Sequence, residues 1–208
     1  MRYVIASIGR SGSTLITNLI SQATGLPFVL SPDLNSPESG ILKTHLHFKI
    51  EPGFSYKAIF IYSKNITDVI SSMYAGRVDM KRHLYHLEVF KRHRLIFKLA
   101  IKIRRLFKYE KIDEAINKLV FRYMITNDKF RFKENALSWK ASKNVLFVAY
   151  EDLCESKDKE LLRISAFLGI NLPDFEIKER QAKRDNIPTE LIELAVKEYG
   201  DFFPNLGL

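Results

Sequence analysis

The chain has 208 residues, with 33 Lys+Arg against 24 Asp+Glu, and so carries a formal charge of +9. Apolar residues make up 46% of it, and the rings of fifteen Phe and nine Tyr are too many for a disordered chain. The single cysteine, Cys154, excludes a disulfide framework and a cysteine-based zinc site, and every apolar stretch is broken within a few residues by Lys, Arg or Asp, so no transmembrane span is expected.

Tyr3 to Ile8 is a β-branched, apolar run ending at Gly9, the pattern of a buried strand. Met1-Arg2 leads into it without an apolar stretch long enough for a secretory leader, so a cytoplasmic location is expected. Gly9-Arg10-Ser11-Gly12 reads as a turn. Ser13 or Thr14 is placed to cap a helix with Leu15, Ile16, Leu19, Ile20 and Ala23 on one face, stopped by Gly25-Leu26-Pro27. Phe28 to Leu30 is a brief extended piece before a loop rich in Ser, Pro, Asp and Asn. Ile41-Leu42-Lys43-Thr44 is expected to be a second parallel strand and Lys57 to Tyr62 a third. Helical spacing follows from Asn65 to Tyr74 through Val69, Ile70 and Met73, and a basic helical pattern without strong breakers runs from Gly76 to Asn135. Asn144 to Tyr150 is the strongest strand pattern of the chain. It leads to a helix from about Ser156 to Leu168, closed by Gly169, and Pro188-Thr189 starts a last helix that ends near Tyr199.

Strands separated by helices predict an α/β fold: one domain over residues 1–208, an open and mainly parallel sheet flanked by helices, and a basic helical cap inserted at about 76–136. Ligands on such sheets bind at the carboxyl ends of the strands, so the loops after the first three strands should share one rim.

Three of those loops carry suitable chemistry. In Gly9-Arg10-Ser11-Gly12-Ser13-Thr14 the glycines let backbone N–H groups turn toward an anion, the helix N-terminus adds positive potential, and Arg10 adds a full charge. This is a phosphate cradle in type. It lacks the Lys and the glycine spacing of a Walker A loop, which weakens any case for ATP or GTP hydrolysis. Lys43-Thr44-His45 ends the second strand with a cation beside an imidazole able to take a proton near neutral pH, while His47 lies further from the strand end. Lys64 and Ser72 follow the third strand, a cation and a hydroxyl suited to a second phosphate. Tyr150, at the end of the late strand, offers a ring for stacking on a base.

Together these segments resemble the sulfotransferase family that uses 3′-phosphoadenosine-5′-phosphosulfate (PAPS). The first loop is similar to the family's 5′-phosphosulfate loop in its Arg-Ser-Gly-Ser-Thr form, and Lys43-Thr44-His45-Leu46 is similar to the stretch bearing its catalytic base. Lys64-Asn65 through Asp68 to Ser72 and Tyr74 resembles the segment that holds the 3′-phosphate. Tyr150-Glu151-Asp152-Leu153 with Phe167-Leu168-Gly169 resembles the late strand–helix element near the adenine. The resemblance implies a P-loop-like sulfotransferase fold. It also implies transfer of a sulfuryl group from PAPS, leaving 3′-phosphoadenosine-5′-phosphate (PAP), without a metal, to a hydroxyl or amine of a carbohydrate or other small molecule. It further implies that Arg10, Ser11, Gly12, Ser13 and Thr14 hold the phosphosulfate, Lys64 and Ser72 the 3′-phosphate, and Tyr150 the base. His45 is then the general base, with Lys43 and Arg10 neutralising charge on the leaving group. Lys64 stands where the family has Arg, Ile66 where it has Pro, and Leu15 where some members have Trp. The C-terminal Arg-Lys-Gly loop has no counterpart beyond Arg180, Lys183 and Arg184.

Between Arg77 and Lys133 lie 17 Lys+Arg against 6 Asp+Glu, an excess that attracts anions in general. Within it, Arg94 to Tyr109 sets Leu95, Ile96, Leu99, Ile103 and Leu106 on one helical face among basic residues, which suits core packing first and peripheral membrane contact second. No nucleic-acid-binding motif accompanies the charge, so no nucleic acid is expected as a partner. Two other readings use the same residues: a nucleotide kinase with a degenerate phosphate loop, and a non-catalytic basic module binding membranes or nucleic acid.

Overall fold

Apolar side chains alternate along the first strand, β1 (Arg2–Ser7), and so build both sides of the core at once. The structure, a computed structural model, describes residues 2–8, 11–30, 40–45, 48, 55–75, 110–176 and 187–206. In chain order the elements are β1, α1 (Ser13–Thr24), β2 (Phe28–Leu30), β3 (Ile41–Thr44), β4 (Tyr56–Tyr62) and α2 (Ile66–Ala75). After these come α3 (Glu110–Thr126), α4 (Phe132–Lys140), β5 (Val145–Ala149), α5 (Tyr150–Glu155), α6 (Lys157–Leu168) and α7 (Thr189–Tyr199). The strands form one sheet in the order β2-β3-β1-β4-β5, and every neighbouring pair is parallel.

Val4 and Ala6 of β1 join Leu42, Phe60 and Tyr62 on one face, covered by Ile70 of α2, Phe121 of α3, Trp139 of α4 and Tyr199 of α7. Ile5 joins Ile41, Ile59, Ile61 and Val148 on the other, covered by Ile16 and Ile20 of α1, Leu153 of α5 and Ile164 of α6. Helices thus flank both faces, which is why the central strands are apolar throughout rather than alternating with polar residues. Each such fully buried Phe or Ile contributes about 1.5–3 kcal/mol.

Two boundaries differ from the sequence expectation. Tyr150 opens the short helix α5 instead of ending the strand, because Glu151 and Asp152 place negative charge in the first helical turn and Leu153 buries itself beneath it. The helical pattern through Asn135 is broken between α3 and α4, where Asp128 (φ 41°) and Arg131 (φ 55°) take left-handed backbone conformations. The Asp128 carboxylate stabilises this break by accepting the Phe132 N–H at 3.0 Å and the Tyr199 hydroxyl at 2.8 Å. Consequently Phe121, Ile125, Phe132 and Ala136, all within the stretch expected to cap the rim, form part of the core layer over one sheet face. Residues 76–109, including the amphipathic stretch 94–109, lie outside the described residues. Among the described residues no helix is long and apolar enough to cross a membrane.

Candidate active site

Parallel pairing puts the carboxyl ends of β1, β3 and β4 side by side: Ala6 is level with Thr44, and Ser7 with Ile61. The three loops that follow therefore do share one rim, and β5 adds its own end next to Tyr62. Ser11 anchors the first loop. Its hydroxyl, 1% exposed, lies 2.6 Å from the Ile8 carbonyl and 3.0 Å from that of Ile61, tying the loop to the end of β4. Ser11 thus commits its hydroxyl proton to the fold.

Gly12 then takes φ +82°, a left-handed conformation that favours glycine, and α1 begins at the next residue. A Cβ at Gly12 would lie 2.4 Å from Cδ2 and 2.7 Å from Cε2 of Tyr150, so that ring packs directly on the turn. The N–H groups at the start of α1 carry the positive end of its dipole, and that of Leu15 bonds the Gly12 carbonyl at 2.9 Å. Ser13 is buried and Thr14 exposed. Lys43 reaches across from β3 to donate to the Thr14 hydroxyl at 2.7 Å, while its ammonium also lies 6.0 Å from the centre of the Phe28 ring. Partial burial lowers the Lys43 pKa from its ordinary 10.5.

His45 follows β3 with its Nδ1 at 2.9 Å from the Ser7 hydroxyl and 3.1 Å from the Ser7 carbonyl. A carbonyl can only accept, which assigns the proton to Nδ1 and leaves a lone pair on Nε2. His45 is solvent-exposed as a residue, yet desolvation of the imidazole against the end of β1 pulls its pKa below the usual 6.5. The Ser7 hydrogen bond opposes that shift, and the nearby Lys43 charge reinforces it. The imidazole is accordingly neutral near pH 7, with Lys43 the nearby cation.

The third loop is held by acids from α5. Glu151 accepts hydrogen bonds from the Ser63 hydroxyl and, at 2.9 Å, from the Lys64 backbone N–H, so a carboxylate caps the approach to α2. The Lys64 ammonium pairs with Asp152 at 2.5 Å, an interaction that raises its pKa above 10.5. Asn65 donates to Asp68 at 2.9 Å, which gives Asp68 a structural role at the start of α2. Ser72 sits half-buried in the body of α2, and the described contacts do not link it to Lys64 or to the first loop. Arg10 and His47 lie outside the described residues, as do Arg180, Lys183 and Arg184.

The structure therefore brings Gly12, Thr14, Lys43, His45, Lys64 and Tyr150 to one rim. It also reveals three participants to which the sequence pattern assigns no part in the site: Ser7, Glu151 and Asp152. Ser7 is the polar interruption near the end of an otherwise apolar strand, and that anomaly was its only signal. Glu151 and Asp152 stand as adjacent acids directly after the strongest strand pattern.

A family whose description is "Sulfotransferase domain" matches residues 28–186 of the chain. The match covers most of the sequence, and the chain belongs to the sulfotransferase family. It includes β3 with Lys43 and His45, the Lys64 loop and Tyr150, and begins beyond the glycine turn at the start of α1. Among solved structures, the crystal structure of mouse sulfotransferase SULT7A1 complexed with PAP is similar at 22% identity and a TM-score of 0.47. That similarity covers 95% of this chain and 63% of the mouse protein. No curated protein matches the chain.

Proposed function

We propose that the chain is a PAPS-dependent sulfotransferase that sulfates a hydroxyl or amine on a glycan or another small molecule. The observation that carries this reading is the junction of the first two loops. Lys43 bonded to Thr14 and His45 bonded to Ser7 place a cation, a helix N-terminus and a neutral imidazole against one another, in a chain of the sulfotransferase family. The residues present suit a donor with two anionic ends. The left-handed turn at Gly12 and the start of α1 form a cradle for one, and Lys64 offers a cation for the other.

PAPS supplies an activated sulfuryl group, and its transfer depends on in-line placement and charge neutralisation more than on covalent catalysis by the protein. His45 Nε2 takes the proton of the acceptor O–H or N–H as the new bond to sulfur forms. The sulfur–oxygen bond to the phosphate breaks, and its electron pair stays on the phosphate oxygen. Lys43, with Arg10 and the N–H groups at the start of α1, stabilises that growing charge, which by general precedent is the largest single effect. Ser72 and Tyr150 belong to this proposal as contacts to the 3′-phosphate and the adenine.

The test is a panel of glycan, phenol, alcohol and amine acceptors incubated with PAPS and read by mass spectrometry for the gain of one sulfuryl group. A product whose rate falls about 10²–10⁴-fold in His45→Ala supports the proposal. Sulfation that proceeds equally in His45→Ala removes the base from the mechanism, and failure of the protein to bind PAPS refutes the reading as a whole.

A further inference from the structure

Asn135 is 4% exposed on α4, its Nδ2 donates to the His45 carbonyl at 3.1 Å, and its Oδ1 has no hydrogen-bond partner. A buried, unpaired amide oxygen costs about 1–3 kcal/mol. One turn along the same helix face, the Ser138 hydroxyl accepts the N–H of Phe48 at 3.0 Å while donating to the Asn135 carbonyl at 2.7 Å. Trp139 completes the contact, its ring meeting that of Phe48 edge-on at 5.1 Å. One face of α4 therefore holds two points just after β3, His45 and Phe48, across some ninety residues of sequence.

We propose that Asn135 and Ser138 are positioning residues that set the His45 imidazole through its backbone. The inference rests on the reading of His45 as the base. The Nδ1–H hydrogen bond to Ser7 requires the His45 backbone at a fixed height over the end of β1, and His45 lies one residue beyond the last β3 pairing, that of Thr44 with Ala6. The Asn135 amide fixes the carbonyl of that residue, and Ser138 stops the chain from drifting three residues on. Fixing the carbonyl keeps the Nδ1–H on Ser7 and the lone pair of Nε2 turned outward. Neither residue is assigned a contact with donor or acceptor. An apolar residue of similar size would fill the Asn135 site without an orphaned oxygen, so the geometry points to the amide donor as the reason asparagine stands there.

The experiment is ¹⁵N NMR of the histidine side chains in the full chain, with His45 assigned by its loss in His45→Gln. It is repeated in Asn135→Leu and Ser138→Ala, and PAP binding by calorimetry runs beside each. In the native protein His45 is expected as the Nδ1–H tautomer, titrating below 6.5. In both variants PAP affinity stays within about twofold, while His45 becomes a mixture of tautomers and its titration moves up toward the ordinary value. Should Asn135→Leu fail to fold, Ser138→Ala decides alone. An unchanged His45 tautomer and titration in a folded variant overturns the proposal. Absence of PAP binding by the native protein defeats the donor assignment instead. Far-UV circular dichroism then reports folding, and the tautomer signals still judge the clamp.

Discussion

Gly12 is the position at which loop geometry, packing and anion binding converge, and Gly12→Ala separates them. The added Cβ meets two penalties. The left-handed backbone at φ +82° disfavours an L side chain by about 1–2 kcal/mol. The Tyr150 ring carbons at 2.4 and 2.7 Å must also move, and overpacking of this kind costs about 1–3 kcal/mol. Gly12→Ala is therefore expected to destabilise by about 2–5 kcal/mol, a fall of roughly 1 M or more in the urea midpoint at unchanged slope. In a Tyr150→Ala background the collision disappears and only the backbone penalty of about 1–2 kcal/mol remains, so the double-mutant cycle should show a coupling of about 1–3 kcal/mol. Urea unfolding of the four proteins by circular dichroism measures this. A Gly12→Ala cost below about 0.5 kcal/mol, or the same cost in both backgrounds, refutes the packing of Tyr150 on the turn.

Because His45 titrates below 6.5, the acidic limb of the pH–rate profile for sulfuryl transfer should lie below that value, and a limb above it contradicts the burial of the ring. The same shift means that the unfolded chain binds more protons between the folded pKa and 6.5. Stability should therefore fall as pH drops through that window, and urea titrations of the native protein should lose this slope in His45→Gln. Asp152→Asn releases Lys64, and since the pair is partly solvent-exposed its loss should change stability by no more than about 1 kcal/mol. Calorimetry of that variant should show PAP binding strengthened by up to about fivefold, and weaker binding would show that Asp152 orients Lys64 rather than competing for it. Glu151→Gln keeps the shape of the α2 cap and loses its charge, which should cost about 0.5–2 kcal/mol in urea unfolding.

Local pattern carried the elements, and long-range pairing decided the rest. The apolar run of β1, the face of α1 and the stop at Gly25 are written in adjacent residues, as is the position of Lys43 and His45 at the end of a short strand. The order β2-β3-β1-β4-β5 is not, because it depends on where each crossover returns to the sheet. The turn at Asp128 escaped the pattern because its stabilising partner, Tyr199, lies 71 residues away. Ser11 shows the limit of reading a site by residue type: its hydroxyl belongs to a motif of anion-binding donors yet faces inward to the Ile8 and Ile61 carbonyls. The acids of α5 are adjacent in sequence to the late strand, and only the fold brings Asp152 to Lys64 across 88 residues.

The most direct measurement of the central claim compares PAP with AMP, which lacks the 3′-phosphate, by calorimetry on the native protein and on Lys64→Ala. A charge-assisted contact from Lys64 to the 3′-phosphate contributes about 1.5–3 kcal/mol, so PAP should bind at least about tenfold more tightly than AMP. Most of that advantage should vanish in Lys64→Ala. Equal affinity for the two nucleotides in the native protein contradicts a donor held at both anionic ends.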